Sequence, residues 1–350
     1  MIRALRRRML VAVALLAAGV ACLLVLTDVA RRIELTTVDA RFGLRGERSF
    51  GDLVVVGIDD VTFDTFDERW PFSRNRFADV LENVSADQPK VIAYDVQFTE
   101  QSDDARADNR LIEASRAAGN VVFSTTEVGD HGESNVFGGA EQLEYARATA
   151  GNGLLPEDTG GVLRRVPQQI DGLDTLAVAT VRRLGEQNPA EQLGGKGAWI
   201  DYIGPPGHVP HVHFSDVAAG DVTPGRFRDR IVVIGATAPS LQDLHPVSWP
   251  SGEMDGPEIH ANAIATLLAG APLRASGRGV DLALALGLAL LTPLLGLFVR
   301  PWAGLLVTVA AGLTYAVAAQ LLFNAGWIVP SSRRSRGWRS ASSARCSSTG

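Results

Sequence analysis

Six side chains fall where apolar strand-like runs end or where a helix begins: Asp59, Arg74, Asp95, Asp243, Glu258 and His260. Asp59 and Asp60 close the run Leu53 to Ile58. Asp95 lies inside a second run, Val91 to Phe98, where an unpaired charge is costly, so it requires a partner. Asp243 and His245 follow a third run that ends at Gly235. Glu258 and His260 occupy the first turn of a helix opened by Pro257. Arg74, in Trp70-Pro71-Phe72-Ser73-Arg74, is the nearest cation. Ligands bind at the carboxyl ends of parallel strands, so these six form the expected ligand-binding set. Several carboxylates cannot stay ionised together without a cation, which favours a metal ion or a basic ligand there. The rival is a closed ion-pair network in which Arg74 neutralises Asp59 or Asp95. Equally structural roles exist for Asp243 as a turn cap, for Glu258 as a complement to the helix dipole and for His260 as a backbone partner. His208, His211 and His213, beside Pro205, Pro206 and Pro210, form a second group able to ligate a metal, read here as a solvated loop.

The familiar enzyme signatures are absent. The sequence holds no G-x-x-x-x-G-K-[ST], H-E-x-x-H or G-x-S-x-G, and no G-x-G-x-x-G after a strand. No catalytic residue and no cofactor are implied, and the chain reads as a non-enzyme. The charge distribution narrows the partners. Four Arg and no acid precede residue 27; residues 27–279 hold 38 acids against 23 Lys and Arg, a net of −15. So acidic a middle argues against nucleic acid. The two cysteines, Cys22 and Cys346, both lie outside it, so a disulfide cannot hold it together.

The elements that must position the six alternate in type. The runs at 53–58, 91–98, 121–126 and 230–235 read as buried strands. Ser73 is placed to cap a helix with Phe77, Val80, Leu81 and Val84 on one face, and Asp108 to cap a helix that stops at Gly119. Thr175 is a third candidate cap, for a helix ending at Gly185. Weaker strands are expected near 165–170 and 199–203. Strand 53–57 and strand 231–235 resemble each other, Leu-Val-Val-Val-Gly beside Ile-Val-Val-Ile-Gly, an echo too short to establish a repeat. The pattern predicts an α/β fold, a mostly parallel or mixed sheet with helices on both faces.

Three apolar runs frame this domain: 9–26, 282–299 and 302–323. Each is long enough to cross a bilayer. The first admits a cleaved signal, a lipoprotein signal on Cys22 or an uncleaved anchor; its continuation through Leu23 to Leu26 favours the anchor. Basic residues place 1–8 in the cytoplasm and 27–279 outside, with Arg300 back in the cytoplasm. The expected protein is multi-pass in the plasma (inner) membrane, with the lipid bilayer as partner. Residues 324–350, rich in Arg and Ser, read as a disordered tail. Their five Arg lie on the side where positive charge is disfavoured, which suggests a lost fourth span or downstream domain.

Longer motifs carry a resemblance. Asp39-Ala40-Arg41-Phe42-Gly43-Leu44-Arg45, Val56-Gly57-Ile58-Asp59-Asp60, Trp70 to Arg74 and Val91 to Phe98 occur in order, followed by Asp158 to Pro167, Ile231 to Ala238 and Gly256 to Ile264. Over about 30–275 this resembles the CHASE2 domains, extracytoplasmic sensors placed ahead of bacterial adenylate cyclases, histidine kinases and other signalling enzymes. Phe72 and Ser73 stand where that motif has Trp and Pro. The resemblance implies a signal-transducing membrane sensor with an unknown extracytoplasmic ligand, in which a homodimer is one option. It also implies three spans after the sensor and a cytoplasmic enzyme, whereas two spans are seen here. A truncated receptor is therefore expected. The alternative is an extracytoplasmic enzyme or metal-binding protein using the Asp/Glu/His cluster.

Overall fold

A computed structural model describes residues 11–20, 23, 28–49, 51–185, 197–250, 252–276, 278–298 and 301–329. Six strands form its main sheet: β1 (Leu53–Ile58), β2 (Val91–Gln97), β3 (Val121–Thr125), β4 (Thr149–Asn152), β5 (His211–His213) and β6 (Ile231–Ala236). Their order is β4-β3-β2-β6-β1-β5, and every pairing is parallel. The helices are α1 (Asp28–Arg45), α2 (Asp60–Phe66), α3 (Arg74–Ala86), α4 (Ala105–Ala118), α5 (Ala140–Tyr145), α6 (Leu176–Arg183), α7 (Phe214–Ala219), α8 (Gly256–Leu268), α9 (Arg278–Phe298) and α10 (Pro301–Asn324).

Alternation along each strand divides two cores. Val55, Ala93 and Val233 face α6 and α8, together with Val38 and Phe42 of α1. Val54, Val56, Tyr94 and Ile234 face Phe77, Val80, Leu81 and Val84 of α3, Leu111 of α4 and Phe214 of α7. The α/β expectation with helices on both faces therefore holds. Ser73 caps α3, its side chain accepting from the Asn75 N–H at 3.3 Å. The cap of α4 is corrected: Asp104, not Asp108, accepts from Arg106 and Ala107. Thr175 precedes α6, but its hydroxyl donates to the Pro167 carbonyl instead of capping.

The echoing strands turn out to be neighbours. β6, last in sequence, inserts between β1 and β2, with Gly57 opposite Gly235 and Gly235 opposite Asp95. This insertion delivers the segment after β6 to the carboxyl ends of β1 and β2. That segment forms β7 (Leu244–Pro246), paired antiparallel with β8 (Glu253–Asp255), and leads directly into α8.

The expectation of three membrane spans is corrected to one helix among the described residues, Trp302–Asn324, 23 residues long and almost wholly exposed. The apolar helical stretches Val11–Val20 and Leu286–Leu295 are shorter. The remaining residues of the first expected span, and those from 330 onward in the expected tail, lie outside the described residues.

α10 ends against the domain. Trp327–Ile328 pairs parallel with Arg274–Ala275, just before α9. The Arg41 guanidinium donates to the Val329 carbonyl at 2.7 Å, and Gln320 donates to the Arg41 carbonyl at 3.2 Å. Phe42 meets Phe323 edge-on at 4.9 Å. Both ends of the α9–α10 hairpin thus sit near the C-terminal end of α1.

Candidate functional site

Gly235 has no side chain because nothing larger fits. A Cβ there would lie 2.6 Å from Pro257 and 3.0 Å from the Asp95 Cβ. Gly256 is equally confined by the Asp243 carboxylate, and Gly153 by Ser124 and Asp95. These glycines let the start of α8 and the loop after β6 close directly onto the end of β2. The resulting cluster holds Asp95, Asp243, His245, Asp255 and His260.

Asp95 and His260 form its interior. Their side chains are 12% and 3% exposed, and His260 Nε2 lies 3.6 Å from Asp95 Oδ2. That is beyond a good hydrogen bond, and this nitrogen has no hydrogen-bond partner among the described residues. Burial raises the Asp95 carboxyl to about 6; His260 and a hydrogen bond from Ser124 oppose the rise, while Asp243 and Asp255 add to it. His245 Nε2 lies 3.0 Å from Asp243 Oδ1, and that bond raises the His245 pKa despite partial burial. The charges acting on Asp95 and His245 are carboxylates and imidazoles, with no Lys or Arg among them.

The six expected residues do not meet in one crevice. Asp95, Asp243 and His260 come together, and the other three go elsewhere. Asp59 caps α2, accepting from the Thr62 N–H at 2.9 Å and its hydroxyl at 2.8 Å, and its second oxygen pairs with His213. Arg74 pairs with Asp108 at 3.5 Å and lies 4.5 Å over the Phe98 ring, so the expected network around Arg74 with Asp59 or Asp95 does not form. Phe98 continues past the end of β2 and turns Arg74 toward α4. Glu258, fully buried, accepts from the Gly207 N–H at 2.7 Å and the Val209 N–H at 3.0 Å. Burial raises its pKa, and those two amides oppose the rise.

The His group is also redistributed. His211 and His213 lie on β5, an edge strand rather than a loop. His211 faces Asp255 at 3.5 Å, and His208 Nε2 bonds the Arg48 carbonyl at 2.8 Å. A hollow of about 440 Å³ lined by Val212, Asp216 and residues 221–226 shares none of the cluster residues.

Ser124, Asp255 and Asp201 were not marked by the sequence. Ser124 ends β3 like any polar strand terminus, and Asp255 reads as an ordinary residue before Pro257; only the sheet order brings them to Asp95. Asp201 accepts from Arg45 at 2.5 Å and pairs with Arg48 at 2.9 Å. Its own N–H donates to Thr266 of α8 at 2.8 Å, and the Ile203 N–H donates to Asn262 of the same helix at 3.1 Å.

No curated protein and no solved structure matches this sequence. The sequence model of the CHASE2 domain matches residues 12–297, which takes in the sheet, the cluster at its carboxyl edge and most of α9. The chain belongs to the CHASE2 family of extracytoplasmic sensory domains.

Proposed function

We propose that this chain is a membrane-attached sensor whose responsive group is the Asp95, Asp243, His245 and His260 cluster. The observation that carries this reading is the position of α8. Its first turn holds His260 against Asp95. Its next two turns, through Asn262 and Thr266, hold residues 201–203. Asp201 in turn grips Arg45 and Arg48 at the end of α1, and the Arg45 guanidinium lies 4.9 Å over Phe323 of α10. A change in the charge or occupancy of the cluster that shifts α8 is transmitted to the point where α1 and α10 meet. Coupling of this kind needs an element with two arrangements, and α8 is the candidate.

In this reading residues 28–276 lie outside the cytoplasm and α10 attaches the chain to the membrane. The family is sensory, so sensing is favoured over turnover. The test is amide hydrogen exchange on the full chain in detergent, comparing wild type with Asp95→Asn. Altered protection of residues 41–45 and 325–329 is the expected result. Unchanged protection there, with local change confined to the cluster, would refute the coupling.

A further inference from the structure

The geometry points to a second site, a divalent metal centre formed by His211, Asp255 and Glu258 at the start of α8, which shares only Asp255 with the Asp95 cluster. It does not depend on the responsive role of Asp95. One donor atom from each of the three residues lies within 4.8 Å of the other two. They come from two elements that the sheet order brings together: His211 from edge strand β5, and Asp255 and Glu258 from the cap and first turn of α8.

The imidazole is already oriented for ligation. His211 Nδ1 lies 2.6 Å from the Val209 carbonyl, which can only accept, so the proton sits on Nδ1. Nε2 then turns toward Asp255 Oδ2. A second-shell carbonyl that fixes the tautomer in this way is the usual support of a metal-bound histidine. Both carboxylates are held as well. Asp255 Oδ1 accepts from the Glu258 N–H at 2.8 Å, leaving Oδ2 for His211. The two oxygens of Glu258 are fixed by Gly207 and Val209, each with a lone pair to spare.

The distance between donors supplies the second argument. His211 Nε2 and Asp255 Oδ2 are 3.5 Å apart. An N–H···O hydrogen bond prefers about 2.7–3.2 Å. Two donors each about 2.1 Å from a tetrahedral ion are separated by about 3.4 Å. A lone pair on Nε2 facing a carboxylate oxygen requires a positive species between them, and the spacing suits an ion better than a direct bond. The donor set, one imidazole and two carboxylates, suits a first-row divalent ion such as Zn²⁺ or Mn²⁺ over Mg²⁺ or Ca²⁺, which take oxygen donors. His211 is 30% exposed on the side chain, so an ion has a way in, while Glu258 closes the inner side. The rival occupant is a proton, giving an ordinary imidazolium triad.

Titration of the metal-free full chain in detergent with Zn²⁺ and Mn²⁺, followed by calorimetry and X-ray absorption, decides between them. The expected result is one ion per chain with mixed nitrogen and oxygen ligation. His211→Ala, on an exposed edge, is expected to lower affinity at least tenfold while the fold is retained. Asp255→Asn serves as a second variant, because Glu258→Gln disturbs the 207–209 loop. Asp95→Asn is expected to bind the ion as wild type does, which separates this site from the sensory cluster. Absence of saturable binding by the wild type, or binding unaffected by His211→Ala, would overturn the assignment.

Discussion

Asp95 is a carboxyl group that the fold holds against its preference for water. Its pKa is raised from 3.8 to about 6. The groups facing it are His260 on α8, Asp243 in the loop before β7, Asp255 on β8 and Ser124 on β3. A carboxyl with a raised pKa binds more protons folded than unfolded, so its contribution to stability is greatest below about pH 4 and is lost as pH rises to about 6. The loss approaches ~3 kcal/mol for a shift of this size. Chemical denaturation at several pH values between 4 and 7 is expected to show this fall in wild type. Asp95→Asn, neutral throughout, should flatten it, and equal pH profiles for both proteins would contradict the assignment. Asp59 shows the opposite outcome for a similar residue. It also ends a strand, but its partners are Thr62 and His213, and it takes no part in the cluster.

Elements meet here through residues that have no room to change. Gly235→Ala would drive a methyl against Pro257 and Asp95 and push α8 off the sheet. Overpacking of this kind costs about 1–3 kcal/mol. Thermal unfolding should show it, whereas Gly119→Ala, whose Cβ would meet only the Arg116 carbonyl at an ordinary contact of 4.0 Å, is expected to lose only what its left-handed backbone costs. The docking of α1 rests on a buried pair: Arg164, 3% exposed, takes both oxygens of Asp39 at 3.0 and 2.7 Å. Ser248 also donates to Asp39. Removing one partner of such a pair leaves a buried charge and costs about 3–5 kcal/mol. Asp39→Ala is therefore expected to release α1, seen as faster proteolysis within residues 46–52, with the sheet core still protected. Retained protection of that linker would show that Phe42 and Arg45 suffice.

For the whole molecule the decisive property is which side of the membrane the sheet occupies. In the proposed reading the sheet lies outside the cytoplasm, the side that basic residues before the first apolar run and an acidic domain after it lead one to expect. Cysteines introduced at the exposed positions Asp103 and Glu141, with Cys22 and Cys346 changed to Ser, should react with a membrane-impermeant thiol reagent on intact cells. Labelling only after lysis would reverse the topology. The return of α10 to the domain fits this arrangement, because Ile328 is fully buried beside Arg274 and Ala275.

Hydrophobic period alone determined much of this protein. Val54 and Val55 on opposite faces of β1, and Phe77, Val80, Leu81 and Val84 along α3, were legible because burial imposes a period of two on strands and of 3.6 on helices. Ser73 was legible as a cap for the same local reason, a side-chain oxygen within reach of its own helix. Asp95 and His260 were marked by their types in apolar surroundings, and the family motifs by their order. The pairings were decided by tertiary structure. Nothing local states that β6 inserts between β1 and β2, yet that insertion joins Asp95 to Asp243 and His260. Phe98 and Asp108 draw Arg74 away from the carboxylates it was expected to neutralise, because a ring face and a nearby acid offer the guanidinium a closer site. Strand order likewise sets His211 beside Asp255 and His213 beside Asp59. Side-chain chemistry is written residue by residue, but which charges share a low-dielectric space is settled only when distant segments pack.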